Sequence, residues 1–277
     1  MDAAAQTFDL DAYLARIGYG GARAPTLETL RAIQLRHTEA IAFENLNPLL
    51  RWPVRLDAAS LQQKLVHDRR GGYCFEQNLL FGEALRAIGF RVTGLGGRVL
   101  WYTADDAVTA RTHMLLRVDL DGYVHIADAG FGVQTPTGPL HLEPDAEQAT
   151  PHEPYRLVRK GDGFLVQVRI GDDWRSLYRF GLEEQLLPDY EIVNWYLSSH
   201  PESRFVNTLM AARPAPGRRY TLRNNEFTVR DLNGGTERRL LGTAAEMRAV
   251  LAGPLGLTLP ESADVDAVLG RLTAPAA

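Results

Sequence analysis

Cys74-Phe75-Glu76-Gln77-Asn78-Leu79-Leu80-Phe81-Gly82-Glu83-Ala84-Leu85-Arg86-Ala87-Ile88-Gly89-Phe90-Arg91-Val92 is the stretch on which the fold class turns. Phe81, Ala84, Leu85 and Ile88 fall at i, i+3, i+4 and i+7, the spacing of one helical face. Gly89 suits the end of that helix, because glycine accepts the left-handed conformation of a C-terminal cap. From Phe90 the period changes. Short β-type runs follow at Val92, Val99-Leu100-Trp101, 113–120, 123–127, 155–158 and 164–170, separated by Gly, Asp and Pro clusters. Such spacing predicts an antiparallel sheet or small barrel.

Upstream the pattern is helical. Asp9 or Asp11 is placed to cap a helix through Tyr13 and Ile17, and Pro25-Thr26 opens another over 27–33. A third helix is expected over 57–67. Downstream, 189–198 reads as helix, strands are expected around 220–230, and Asn233-Gly234-Gly235 marks a turn. A last helix begins at Thr243, with Glu246 at capping-box spacing. Helices, then strands, then mixed elements predict an α+β protein rather than a doubly wound one.

The chain has 277 residues, enough for about two domains and a sizeable core. With 45% hydrophobic and 23% charged residues it is too apolar for a disordered chain. The net charge of −4 carries no basic stripe, which argues against a nucleic-acid partner. No apolar run is long enough to span a membrane, and the first residues lack the pattern of a signal peptide. One cysteine forms no internal disulfide, so a soluble, cytoplasmic setting is expected.

That cysteine, Cys74, follows Arg69-Arg70-Gly71-Gly72-Tyr73 in the first turn of its helix. Unpaired N–H groups and the helix dipole favour an anion there, as do the arginines if they point toward the sulfur. The alternative is a small buried hydrophobe. A thiolate nucleophile needs an imidazole, itself oriented by a third group. Among seven histidines, His113 stands out because Asp121-Gly122 predicts a hairpin leading on to Asp128. A two-residue loop makes His113 and Asp128 diagonal neighbours on one face, and a four-residue loop sets them opposite each other. A three-residue loop sends them to opposite faces. The glycines of Gly130-Phe131-Gly132 would let backbone N–H groups approach an anion or a reacting carbonyl. No zinc-type spacing is present, and no metal is expected.

Together these residues resemble the arylamine N-acetyltransferases of bacterial type. The resemblance rests on Phe43-Glu44-Asn45-Leu46, Arg70-Gly71-Gly72-Tyr73-Cys74-Phe75-Glu76-Gln77-Asn78, Thr112-His113-Met114-Leu115, Asp128-Ala129-Gly130-Phe131-Gly132, Ser199-His200-Pro201 and Phe205. It covers roughly residues 8–205 and is general in pattern beyond. It implies a helical domain over 1–90, an antiparallel β-barrel domain over 91–187, an interdomain helix over 188–204 and an α/β lid over 205–277. It also implies a cysteine-protease-like triad of Cys74, His113 and Asp128, with acetyl-CoA as donor and an arylamine or hydrazine as acceptor. By position, Val99, Trp101, Thr112 and Gly132 would lie along the donor. Phe43, Tyr73, Phe131 and Phe205 would form the acceptor pocket, and Glu44 and Arg70 are expected to form an ion pair supporting the cysteine loop. The kinetics would be ping-pong through an acetyl-cysteine. The resemblance leaves a homodimer open, and a cysteine hydrolase, a macrocycle-forming amide synthase and a non-enzymatic binding module are the competing readings.

Overall fold

The helical face at Phe81, Ala84, Leu85 and Ile88 is buried throughout in the computed structural model, which describes residues 8–274. Five helices precede the first long strand: α1 (Leu10–Arg16), α2 (Leu27–Ala40), α3 (Leu46–Leu49), α4 (Ala58–Gln62) and α5 (Cys74–Ile88). A two-residue strand, β1 (Phe43–Glu44), lies between α2 and α3, and α4 runs into a π-helical turn over Gln63–His67. The side chains of Asp9, Thr26 and Asp57 cap α1, α2 and α4 by accepting from the N–H three residues on. Gly89 caps α5 at φ 107°. Helix α2 runs seven residues beyond the expected Ile33, because Gln34, His37 and Thr38 are buried polar residues that hide its apolar stripe.

Seven strands follow: β2 (Arg91–Val99), β3 (Arg111–Leu120), β4 (Tyr123–Ala127), β5 (Leu140–His141), β6 (Tyr155–Lys160), β7 (Gly163–Ile170) and β8 (Asp173–Glu184). They form one antiparallel sheet in the order β5-β4-β3-β2-β8-β7-β6. Beyond β5 the chain turns back on β6, where Gln148 bridges Tyr155 and the Asp145 N–H donates to the Leu157 carbonyl at 2.6 Å. The sheet thereby nearly closes into a barrel.

Helix α6 (Leu187–Ser199) and the short α7 (Arg204–Asn207) lead into β9 (Met210–Ala215), β10 (Arg218–Arg223), β11 (Glu226–Asp231) and β12 (Thr236–Leu240). The second sheet, β1-β9-β10-β11-β12, borrows β1 from the N-terminal third. Helices α8 (Ala244–Ala252) and α9 (Ala263–Thr273) pack on it through Met247, Leu251, Val265 and Leu269.

Strand alternation explains how β3 serves two cores. Met114, Leu116 and Val118 join the helical core with Phe75, Phe81 and Leu85, whereas Leu115 joins Ile126, Val166 and Tyr178 inside the barrel. His113 shares the parity of Leu115, and Asp128 that of Ile126.

Two local expectations give way to the structure. Strand β2 stops at Val99, and the chain turns at Tyr102 (φ 64°), so Val99-Leu100-Trp101 is not one strand. The helix at Thr243 is not the last, since α9 follows. Strand β8, the longest of the sheet, has no clean alternation: a register shift opposite Val166 and Gln167 turns both Leu177 and Tyr178 inward.

Candidate active site

The N-terminus of α5 is fixed from below. Gly71 lies so close to β1 that a Cβ there would fall 2.1 Å from the Ala42 carbonyl oxygen. The Tyr73 N–H donates to Glu76 Oε2 at 3.0 Å, and Lys64 Nζ donates to Glu76 Oε1 at 2.6 Å. Arg70 points away from the sulfur. Its Nε and Nη2 donate to Glu44 Oε1 at 3.1 and 2.7 Å, and Nη2 also reaches Asn47 Oδ1 at 3.0 Å. Burial works against the Glu44 charge, but Arg70 and then Lys64 outweigh it and hold that carboxyl below its usual range. Arg70 thus braces the cysteine loop rather than polarising Cys74.

The hairpin turns in two residues. Leu120 pairs with Tyr123, and Asp121 and Gly122 both have positive φ, at 50° and 80°. Leu116 then pairs with Ala127, which makes His113 and Asp128 diagonal neighbours on the barrel face. His113 Nε2 lies 2.8 Å from Asp128 Oδ2. Asp128 is 1% exposed and accepts three further hydrogen bonds. Asn78 Nδ2 (3.0 Å) and the Gly130 N–H (2.8 Å) donate to Oδ1, and the Tyr178 hydroxyl (3.0 Å) donates to Oδ2. Burial opposes ionisation of Asp128, yet the His113 charge and these donors hold its pKa below the ordinary value. Burial likewise opposes the His113 charge, but Asp128 dominates and, with Cys74, raises the imidazole to about 10.

Cys74, 4% exposed, sits against both residues of the opposing strand end. Its Sγ is 3.6 Å from the carbonyl oxygen of Thr112, the residue before His113, and Cys74 adds to the raising of the His113 pKa. Since Nε2 is taken by Asp128, the nitrogen left for sulfur is Nδ1. Gly130 closes the arrangement, because a Cβ there would fall 2.7 Å from Cys74 Cα and 3.0 Å from the Cys74 carbonyl oxygen. A side chain would push the aspartate strand off the cysteine helix. The Gly130 and Gly132 N–H groups are not free donors, contrary to expectation; they serve Asp128 Oδ1 and Thr135 Oγ1 (2.7 Å).

The expected aromatic set divides in two. Phe205 packs on Phe43 (ring centroids 6.1 Å apart) and edge-on against Tyr73 (5.4 Å). Tyr73 is fully enclosed, its hydroxyl bonded to Asn194, so it backs the cluster without opening on solvent. Phe131 stands apart, edge-on to His113 at 5.2 Å and 5.3 Å from Tyr178. Val99 pairs with Tyr178, Trp101 packs on the exposed Tyr102, and the Thr112 carbonyl meets the sulfur. A cleft of about 260 Å³ opens beside His113, with Phe75, Arg98, Arg111, Gln185 and Tyr190 among its walls. Arg98, Arg111 and Gln185 carry no motif signal, and none of Val99, Trp101, Thr112 and Gly132 lines this cleft. Tyr178 lay in the unrecognised β8, whereas Asn78 stood inside the motif without a role. Among the described residues no three His, Cys, Asp or Glu side chains are grouped to hold a metal ion, and no helix is long and apolar enough to cross a membrane.

A sulfur, an imidazole and a carboxylate thus gather where the start of α5 meets the ends of β3 and β4. A family model described as N-acetyltransferase matches residues 26–264. The arylamine N-acetyltransferase of Mycobacterium tuberculosis (strain ATCC 25618 / H37Rv) is 42% identical over 268 residues, covering 95% of this chain and 94% of the relative. The arylamine N-acetyltransferase / N-hydroxyarylamine O-acetyltransferase of Salmonella typhimurium is 43% identical over 220 residues, covering 79% and 78%. The structure of the Mycobacterium marinum arylamine N-acetyltransferase in complex with CoA superposes with a TM-score of 0.91 at 42% identity, covering 95% of this chain and 99% of that one. The chain belongs to the arylamine N-acetyltransferase family and is a transferase of that kind.

Proposed function

We propose that this acetyltransferase moves the acetyl group of acetyl-CoA to the nitrogen of arylamines, arylhydrazines or hydrazides by a ping-pong route through acetyl-Cys74. The observation that carries the reading is the 2.8 Å contact of His113 Nε2 with Asp128, with the Cys74 sulfur 3.6 Å from the carbonyl of the adjoining Thr112. Asp128 fixes the tautomer and stabilises the imidazolium. His113 Nδ1 takes the thiol proton, and the sulfur attacks the thioester carbonyl. The tetrahedral intermediate expels the CoA sulfur, which receives the proton from Nδ1. In the second half an uncharged amine attacks acetyl-Cys74, its proton passes to Nδ1, and the cysteine sulfur leaves. The Cys74 N–H finds no acceptor among the described residues, which supports it as one donor to the oxyanion.

In this reading 1–90 carries the nucleophile, 91–187 the base and carboxylate, 188–204 joins the parts and 205–277 covers the site. Phe43, Tyr73, Phe131 and Phe205 shape the acceptor side and exclude water from the acetyl-enzyme. Val99, Trp101, Thr112 and Gly132 follow the donor arm, and Arg98 and Arg111 at the cleft offer positive charge to its phosphates.

Tyr178→Phe removes one of four hydrogen bonds to Asp128. A bond to a charged acceptor is worth about 1.5–3 kcal/mol, so kcat should fall roughly ten-fold to a hundred-fold with KM for the donor unchanged. The reaction class is tested by a panel of acyl-CoAs crossed with arylamines, hydrazines and an N-hydroxyarylamine, read by release of free CoA. Acetyl-CoA with arylamines should give parallel double-reciprocal lines. Intersecting lines would point to direct transfer without an acetyl-enzyme. The name of the Salmonella relative favours a second acceptor class, the N-hydroxyarylamine oxygen, which the same panel reads.

A further inference from the structure

A second cavity, of about 710 Å³, lies behind the β3–β4 hairpin and shares no wall residue with the cleft at His113. That volume falls in the range of small-molecule sites. Its walls come from α2 (Leu27, Arg31), the hairpin (Leu120, Asp121, Tyr123, His125), β5 (His141) and the loops at 137–139 and 148–151. Most of its polar groups are already satisfied. The Gln148 amide is bonded at both ends to the His141 backbone, at 2.7 and 2.8 Å, and the hydroxyls of Thr137 and Thr150 bond to each other at 3.2 Å.

What remains unsatisfied defines the ligand. His125 is 6% exposed, and its Nδ1 is buried without a partner; neither ring nitrogen finds one among the described residues. Leaving such a group unpaired is costly, so a partner is expected. Arg31 is exposed, and no carboxylate among the described residues lies within ion-pair distance of it. Burial first, then His141 and Arg31, hold the His125 basicity below its ordinary value, with Asp121 opposing them. Glu143 touches only His141, at Nδ1 (3.4 Å). One guanidinium and two imidazoles therefore line the cavity against a single lining carboxylate, that of Asp121 at the hairpin turn, a balance that still suits an anion. The aromatic edges favour a flat one: His141 lies 5.5 Å from His125 and edge-on to Tyr123 at 5.3 Å, opposite apolar Leu27, Leu120 and Pro139.

We propose that this cavity binds a planar aromatic carboxylate, the carboxylate on Arg31 and His125 and the ring against Tyr123 and His141. The full-length protein is titrated calorimetrically with 2-naphthoate, the uncharged 2-naphthamide and octanoate. Naphthoate should bind one-to-one. Arg31→Ala and His125→Phe should each weaken it about ten-fold or more, as expected for loss of a charge-assisted hydrogen bond. Naphthamide and octanoate should also bind at least about ten-fold more weakly than naphthoate, by the same loss of charge or ring contact. Alkylation of Cys74 should leave naphthoate affinity unchanged. Absence of naphthoate binding at millimolar concentration, or affinity indifferent to Arg31→Ala, would overturn the proposal, as would octanoate or naphthamide binding equally well. Loss of binding on Cys74 alkylation would assign the ligand to the catalytic cleft instead. Arg31 is a surface residue, so its variant reports on the site even if His125→Phe does not fold.

Discussion

Asp128→Asn should lower kcat/KM by about 10³–10⁴-fold while the protein stays folded, because the substitution reverses the proton arrangement on His113. In the proposed triad the carboxylate accepts from Nε2, which leaves Nδ1 as the base toward Cys74. An asparagine amide can donate to Nε2 instead, placing the ring proton on Nδ1, where it blocks uptake of the thiol proton. The other donors to this carboxylate, from Asn78, Gly130 and Tyr178, would meet a group with one acceptor oxygen rather than two. A stability loss of about 1–3 kcal/mol is therefore expected beside the kinetic one. The titration of His113 supplies a readout that mere destabilisation would not move. Without the Asp128 charge, burial becomes the leading influence and works against the imidazolium. The pKa should fall from about 10 toward or below 6.5, followed by NMR of the ring. Activity within ten-fold of the parent, or an unmoved His113 titration, would remove Asp128 from its assigned role.

Gly130→Ala should also be damaging, though less so, and for a steric reason. The added Cβ would meet backbone, at 2.7 Å from Cys74 Cα and 3.0 Å from its carbonyl oxygen, with Asn78 Nδ2 also at 3.0 Å. Backbone at a helix start cannot swing aside as a flexible side chain could, so α5 and the strand end carrying Asp128 must separate. A misplacement of reacting groups on the order of 1 Å costs about a hundred-fold in rate. Overpacking of this kind costs about 1–3 kcal/mol in stability. The expected signature is a kcat lowered about a hundred-fold, with donor KM little changed, alongside a lowered thermal midpoint. Activity within two-fold of the parent would mean that the close contact does not position the sulfur.

The parts of this site legible in the sequence are those with local causes. Asp121-Gly122 specifies its turn by backbone conformation alone, and with the turn comes the register that pairs His113 with Asp128. The caps at Asp9, Thr26, Asp57 and Thr243 follow from side chains three residues from the N–H they serve. Strand β8 was not legible because a register shift destroys its period, and Tyr178 was hidden with it. The Arg70–Glu44 pair beneath the cysteine loop was legible, as an expected ion pair, and β1 folds beside that loop to bring the two residues together. Geometry from the hairpin left open which of seven histidines faces Cys74; the choice of His113 came from the family resemblance. The barrel's near closure and the two cavities are products of distant contacts, which no local pattern records.

Intact-mass spectrometry of the protein mixed with acetyl-CoA, before any acceptor is added, tests the central claim most directly. The account predicts a single added acetyl group on the parent, removed when an arylamine is supplied, and none on Cys74→Ser. An acetyl adduct of equal yield on both proteins, or turnover by Cys74→Ser at the parental rate, would contradict it.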